Sequence, residues 1–515
     1  MKVFIAYPPL STKKGYPTLG QNRQFQYFKD PTYIYPVVPA QAATLLKHSG
    51  YEVKWLDCIA QGIHYDKFME IIKEEKPDLI AIETKTPVIK QHWKIIDEIK
   101  TVSSYYASQL SANRYPLTAI RYPLIALFGD HVSALPEESF KNSKVDYVLT
   151  GGDYDFLLLN LCNFLNNPQL SANRYPLTAN SPFPDLEPGI YYRANGEIKN
   201  TGKFQLNHDL NTLPFIDRDL TRWRLYAYKN GNYKRTPGAY IMSGRDCWWG
   251  RCSFCSWGGF YPVFRSRSVQ NVLEEIGYLI SQYGVREIMD DTGTFPVGEW
   301  LREFCRGMIS SGYNKKIYLD CNMRFGALSE DDYCLMKKAG FRLLLFGLES
   351  ANQDTLDRIN KKLKVQDIID SCRLARKAGL FPHITIMFGY PWESLQDAMN
   401  TLKLGKWLLT KGYAYTMQAT IVIPYPGTPL FKECQQNGWL KTLDWDDYDM
   451  KQPVMQSEIP EQKIREMVQD MYKVSFKPQF IIRKIFSLRD IEDITYYLRA
   501  ARKVLGHIFD FSRNS

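Results

Sequence analysis

Three cysteines, Cys247, Cys252 and Cys255, fall within nine residues of the string Gly244-Arg245-Asp246-Cys247-Trp248-Trp249-Gly250-Arg251-Cys252-Ser253-Phe254-Cys255. The chain has ten cysteines, and the other seven, from Cys58 to Cys434, stand singly, as buried thiols usually do in a reducing compartment. Clustered thiolates can wrap one face of a metal centre. Zinc in a closed structural site wants four ligands, and no fourth Cys or His lies close by. A 4Fe–4S cluster held by three thiolates instead keeps one iron open to an exogenous ligand. That reading is preferred over a zinc site or three idle core thiols.

Further polar groups sit where strands should end. They include Asp290-Asp291-Thr292, Gly347-Leu348-Glu349-Ser350, Gly389-Tyr390-Pro391-Trp392-Glu393 and Pro424-Tyr425-Pro426-Gly427-Thr428-Pro429-Leu430. Each string alone is weak, because a Gly-Tyr-Pro is an ordinary turn and a strand-end Glu an ordinary ion-pair partner. What positions them is a βα alternation beginning near Tyr240. Strands are expected at Tyr240–Ser243, Glu287–Asp290, Ile317–Cys321, Leu343–Leu348, His383–Phe388 and Met417–Ile423. The helices between them include Val269–Tyr283, Ser329–Lys338, Val365–Lys377 and Ser394–Leu409, with Ser329 a natural N-cap. Six such units make a partial (β/α)6 barrel with its chemistry at the carboxyl ends of the strands.

A smaller alternation fills the first 165 residues. Strands are expected at Lys2–Tyr7, Glu52–Leu56, Leu79–Glu83, Leu124–Phe128 and Tyr147–Leu149, with helices Ala40–His48 and Tyr65–Glu75 among them. This is a doubly wound, flavodoxin-like α/β domain, whose ligand should lie beyond the strands' carboxyl ends. The boundaries read as a first domain at 1–205, a linker at 206–236, the barrel at 237–455 and a helical segment at 456–515. The string QLSANRYPLTA occurs twice, at Gln109–Ala119 and Gln169–Ala179; at eleven residues it is too short for a structural repeat and reads as a loop insertion.

With 515 residues, 45% hydrophobic and 23% charged, the chain reads as ordinary and folded, with room for two or three domains. Sixty-five Lys and Arg against 55 Asp and Glu give a net charge of +10 without long basic runs, so no nucleic-acid partner is expected. No signal peptide and no apolar run of about 18 residues is found, so a cytoplasmic location is expected. Around 480–509, Phe480, Ile481, Ile485, Phe486 and Leu488 interleave with Arg483, Lys484 and Arg489. That pattern reads as a helical cap on the barrel, with peripheral membrane contact as the competing reading.

The barrel strings, in this order, resemble the radical S-adenosylmethionine superfamily. Its cysteine motif is usually C-x3-C-x2-C, with an aromatic before the last cysteine; here the motif is C-x4-C-x2-C, with Phe254 as the aromatic. The resemblance implies that Cys247, Cys252 and Cys255 hold the cluster. It also implies that Phe254, Asp290, Asp291, Gly347, Glu349, Ser350, Gly389 and Pro391 contact S-adenosyl-L-methionine. The first domain resembles the cobalamin-binding domain of one branch of that superfamily. Cobalamin contacts are then expected from Pro8, Pro9, Glu83, Thr84, Gly129, Asp130, His131, Thr150, Gly151 and Gly152. The Asp-x-His-x-x-Gly motif of other cobalamin proteins has its nearest counterpart at Asp57–Gly62, with Ile59 in the histidine's place, so no histidine should ligate cobalt.

The family chemistry passes one electron from the cluster to S-adenosylmethionine and yields a 5′-deoxyadenosyl radical that abstracts hydrogen from a C–H bond. With cobalamin, the usual outcome is methylation of an unactivated carbon. A radical cyclase or oxidoreductase acting on a lipid or tetrapyrrole-like substrate is the alternative, and a non-catalytic corrinoid or metal carrier a third. The resemblance also implies a small-molecule or lipid-like substrate and an electron donor such as flavodoxin or ferredoxin. His131 and His208 read as hydrogen-bonded loop residues rather than metal ligands.

Overall fold

The computed structural model describes the chain apart from residues 12, 19–25, 30, 32, 113–122, 168–185, 262 and 512–515. It divides into two compact units. The first is built chiefly from Met1–Thr12 and Pro36–Leu225, the second from Lys13–Thr18, Gln24–Tyr35 and Tyr226–Ser515. An antiparallel hairpin of Tyr16–Thr18 and Gln26–Phe28 therefore goes with the second unit. Phe28 packs edge-on against His507 at 5.0 Å, and Lys29 N donates to Asp510 Oδ1 at 2.9 Å.

The first unit holds a seven-stranded sheet in the order Glu52–Asp57, Lys2–Tyr7, Leu79–Glu83, Leu124–Phe128, Tyr147–Leu149, Ile190–Ala194, Glu197–Asn200. The first five strands are parallel, in the 2-1-3-4-5 order of flavodoxin-like sheets. Val3–Tyr7, Leu79–Ile82 and Ile125–Phe128 are buried without alternation, as expected of strands covered on both faces. The last two strands are antiparallel additions joined at Asn195-Gly196, both with positive φ (52° and 81°), the signature of a two-residue hairpin turn. Helix Ile89–Ala112 ends within the first copy of the repeated string; the remainder of that copy and the whole second copy lie outside the described residues.

The second unit carries a six-stranded parallel sheet in strict chain order: Gly238–Ile241, Glu287–Asp290, Tyr318–Met323, Phe341–Glu349, Phe381–Phe388 and Thr416–Ile421. The sheet stays open, a partial barrel. Helices Val269–Tyr283, Glu330–Lys338, Val365–Lys377 and Leu395–Lys411 follow strands one, three, four and five. Ser329 and Ser394 each form a capping box, with Asp332 and Asp397. Near the strands' amino ends Arg342 joins two buried carboxylates, Glu287 and Asp320, at 2.6 Å each. Such networks at this end of a barrel serve stability. The C-terminal region forms Glu461–Lys473, Pro478–Ile485 and Ile491–Asp510, the last two separated where Asp490 caps the final helix. Among the described residues no helix is long and apolar enough to cross a membrane.

Candidate active site

The loop leaving the first barrel strand is fastened at its start by Asp290, the last residue of the second strand. Asp290 Oδ2 accepts from Ser243 N at 2.9 Å and from Ser243 Oγ, while Oδ1 accepts from Thr292 N at 3.0 Å. Gly244 N then donates to Thr292 Oγ1 at 3.0 Å. Asp290 thus spends both oxygens on holding the loop. Asp291 is buried beside it, its N–H on Ile241 O at 2.8 Å.

The cysteines follow. Cys247 Sγ lies 3.0 Å from Thr294 Oγ1. The four-residue spacer after it is tied down at successive points. Trp248 Nε1 donates to Phe295 O and Trp249 Nε1 to Asn360 O, each at 3.1 Å. Asn360 Nδ2 donates to Arg251 O at 3.1 Å, and Ser253 N donates to Ile359 O at 3.0 Å. The Arg324 guanidinium stacks 3.9 Å over the Trp249 ring and donates to Lys362 O at 3.0 Å. The turn 359–362 is therefore clamped onto the spacer, and it needs left-handed φ at Asn360 (54°) and Lys362 (47°) to do so. On the other side Leu430 N, from the Pro-Gly-Thr-Pro run, donates to Ser253 O at 2.9 Å.

All three thiols are half-buried, and each of the other two raises the Cys255 thiol, which burial has already pushed up. Burial pushes the Cys252 thiol up to about 11, and the nearby Lys361 ammonium works against it. Among the described residues no three His, Cys, Asp or Glu side chains are gathered tightly enough for a single metal ion. Three thiols from one loop, with Cys247 and Cys252 both acting on Cys255, form a donor set that suits a 4Fe–4S cluster.

Glu349 ends the fourth strand with φ of 63°, a strained value for a residue with a side chain. Its Oε1 accepts from Lys361 Nζ at 2.7 Å, and both side chains are buried. Gly347 makes room for the pair, since a Cβ there would stand 2.1 Å from Glu349 Oε1 and 2.6 Å from Lys361 Nζ. Ser350 Oγ donates to Glu393 Oε1 at 2.7 Å, so the Gly389–Glu393 turn braces the end of strand four. Within that turn Gly389 has φ of 97°, and Tyr390, before Pro391, is fully buried, its hydroxyl lacking a hydrogen-bond partner among the described residues. Glu349, Glu393 and Cys252 lie near enough to raise the Tyr390 hydroxyl further than burial alone. A buried donor left unsatisfied beside a carboxylate and a thiol fits a site awaiting a polar ligand. Phe254 is buried between Ser253 and Cys255.

Of the residues expected from the sequence, Asp290 and Ser350 thus serve as braces, whereas Glu349 lies beside the cysteines. Lys361, Arg324 and Thr294 were not singled out by sequence, and Tyr390 entered only as part of the Gly389–Glu393 string. Lys361 lies in Asn360-Lys361-Lys362-Leu363-Lys364, which reads as a solvated run, and only its burial distinguishes it.

In the first unit the expected strand ends cluster around Glu83. The Tyr7 hydroxyl donates to Glu83, and Lys85 lies 3.5 Å from both Glu83 and Asp130. Burial raises the Glu83 carboxyl, with Lys85 opposing. Pro8 is buried and Pro9 half-buried beyond Tyr7. Gly129, φ 122°, passes so close to Thr84 that a Cβ would stand 2.3 Å from its carbonyl. Thr84 Oγ1 meets His92 Nδ1 at 2.9 Å, and burial keeps that imidazole neutral, its pKa lowered to about 3. Thr150 Oγ1 donates to Gly189 O at 2.8 Å, Gly151 N donates to Ser133 Oγ at 3.0 Å, and Gly152 is buried beside them. His131 is hydrogen-bonded to Thr86 and Glu138 at 3.2 and 3.0 Å, and His208 sits between Asp153 and Glu187 at 2.9 Å each. Asp57 Oδ1 caps its own short helix at Ile59 N and Ala60 N, and the Ile59 side chain is half-buried.

Residues 241–405 match the family model of the Radical SAM superfamily. An uncharacterized methyltransferase of Pyrococcus horikoshii is 25% identical over 494 residues, covering 94% of this chain and 95% of the relative. The anaerobic magnesium-protoporphyrin IX monomethyl ester cyclase of Cereibacter sphaeroides is 24% identical over 425 residues, covering 81% of this chain but only 63% of that enzyme. Among solved structures, the cobalamin-dependent S-adenosylmethionine radical enzyme OxsB superposes with a TM-score of 0.67 at 15% identity, over 98% of this chain and 71% of that one. The radical S-adenosylmethionine methyltransferase TsrM of Kitasatospora setae gives 0.64 at 13% identity, over 98% and 99%. At these identities the two structures share a fold with this chain.

Proposed function

Because residues 241–405 form a radical SAM domain, we propose that this chain is a radical S-adenosylmethionine methyltransferase that uses a 4Fe–4S cluster and cobalamin. The observation that carries this reading is the placing of Cys247, Cys252 and Cys255 on the loop after the first strand, with the buried Lys361–Glu349 pair beside Cys252. When bound and reduced by a one-electron donor, the cluster and S-adenosylmethionine supply a carbon-centred radical, and cobalamin supplies a methyl group.

The chain's own part is to bind, orient and exclude water. The three thiolates would hold the cluster and leave one iron open. Glu349 would accept from donors of S-adenosylmethionine, with Lys361 fixing the carboxylate and Asp290 holding the loop. The Tyr390 hydroxyl offers a donor with little solvent competition. In the first unit Gly129, Thr84, Thr150, Gly151 and Gly152 would line cobalamin at the carboxyl ends of the sheet, where such sheets bind ligands. Ile59 leaves no imidazole for cobalt at the Asp57–Gly62 turn.

The experiment is a product count with methyl-labelled S-adenosylmethionine and a candidate substrate. Methylation predicts 5′-deoxyadenosine and S-adenosylhomocysteine in equal yield, with label in the product. The similarity to the Cereibacter cyclase favours a second reading, ring closure, which predicts deoxyadenosine alone and an unlabelled product.

A further inference from the structure

The helix Ile491–Asp510 is amphipathic in the inverse sense. Its inward side is polar. Asp493, fully buried, takes Arg235 Nη1 at 2.7 Å and Lys234 Nζ at 2.9 Å. Arg499 donates to the carbonyls of Tyr228 and Tyr233 at 3.0 Å each. Its outward side is apolar. Ile491, Ile494, Leu498, Leu505 and Phe509 fall on one stripe at helical spacing and are 78%, 47%, 68%, 46% and 55% exposed. Just before it, Ile485 and Phe486 are 57% and 85% exposed. Scattered apolar residues on a surface need no explanation, but five exposed apolar side chains on one face of a 20-residue helix do.

Charge decides what covers the row. The acidic residues here are turned inward or paired: Asp490 with Arg235 at 2.6 Å, Glu492 with Arg286 at 2.5 Å, and Asp510 buried on Lys29 N. Lys477 and Arg489 are exposed along the same segment. A two-fold contact between copies would set this positive edge against itself, because an isologous interface presents the same patch from both sides. Lipid phosphates complement it. We propose that this face lies on an anionic lipid surface, with the helix in the interfacial plane and its apolar row entering the headgroup boundary. The proposal is independent of the cofactor chemistry.

The test is flotation of the full-length protein with phosphatidylcholine vesicles, with and without phosphatidylglycerol. The expected result is co-flotation that needs the anionic lipid and weakens at high salt. Phe486→Ser and Leu498→Ser should each lower vesicle affinity about tenfold. Both sites are exposed, so the thermal unfolding midpoint should hold. Absence of flotation, or equal flotation of the double variant, would overturn the proposal. So would a dimer in solution that these substitutions dissociate without any vesicle binding.

Discussion

The two units carry the same device, a parallel sheet whose carboxyl ends present polar residues, and use it differently. In the first unit the charged residues satisfy one another: Tyr7 and Lys85 hold Glu83, and Lys85 also reaches Asp130, although the buried His92 Nε2 beside Thr84 has no partner among the described residues. His208 is likewise held by carboxylates on both sides. In the second unit polar groups are gathered and left incomplete. Cys247 and Cys252 both raise the Cys255 thiol, and among the described residues the buried Tyr390 hydroxyl has no partner beside Glu349. A set of groups that is already satisfied can offer a ligand shape and backbone. An unsatisfied set costs free energy until a ligand completes it, which is the usual condition of a reacting centre.

The largest effect should come from the buried Lys361–Glu349 pair in the second unit's site. Lys361→Met or Glu349→Gln alone leaves a buried partner uncompensated and should cost roughly 3–5 kcal/mol of stability. The double variant should recover most of that loss in denaturant titration while still failing to bind S-adenosylmethionine. If the double variant binds normally, the pair is purely structural and the contrast between the units fails. Next, Gly347→Ala would displace the Glu349 carboxylate and the Lys361 ammonium, whose far ends lie 2.1 and 2.6 Å from the new Cβ. Isothermal titration should show S-adenosylmethionine affinity about tenfold weaker, near 1.4 kcal/mol, with the unfolding midpoint little changed.

A smaller effect is expected at the clamp on the spacer. Asn360→Gly keeps the left-handed turn but removes the amide bond to Arg251 O, worth about 1 kcal/mol. The reconstituted protein should lose iron several-fold faster on chelator challenge, with its melting temperature nearly unchanged.

The smallest effect sharpens the first unit's side. Hydrogen bonds to Asp153 and Glu187 raise His208 to about 9. A raised folded-state pKa gives stability that is fully present below the unfolded value of about 6.5 and lost as pH rises toward 9. The melting-temperature gap between wild type and His208→Gln should be widest at pH 6 and close above pH 9. A constant gap would show that the clamp acts by packing alone.

Most of the fold was legible in the sequence, because the parallel strands are short apolar runs broken by Gly and Pro. Leu79–Glu83 and Glu287–Asp290 appear in the structure with the limits read from the sequence. The antiparallel pair after Ile190 was missed although Asn195-Gly196 is a strong hairpin signal, because Arg193, Glu197 and Lys199 made its flanks look like loop. The hairpin at Tyr16–Phe28 could not be allotted from sequence, since the partners of Phe28 and the adjoining Lys29, His507 and Asp510, lie about 480 residues away. At the site, the residues that carry chemistry by type and spacing, the cysteines and Glu349, could be read directly. Lys361, Arg324 and Thr294 could not, because a lysine among lysines, an arginine after a strand and a threonine in a turn acquire meaning only from burial and neighbours. The spacer's contacts with the turn 359–362 have no counterpart in any sequence motif.

The most direct test of the central claim is anaerobic reconstitution of the wild-type chain and of Cys247→Ala, Cys252→Ala, Cys255→Ala and their triple combination. Iron, sulfide and 5′-deoxyadenosine formed from S-adenosylmethionine under reduction are then measured, with Cys305→Ala and Cys321→Ala as controls drawn from the buried core. The account predicts that each site variant abolishes cleavage and that the triple variant holds no cluster, while both controls retain cluster and cleavage. A triple variant that still holds the cluster and still cleaves S-adenosylmethionine would contradict it.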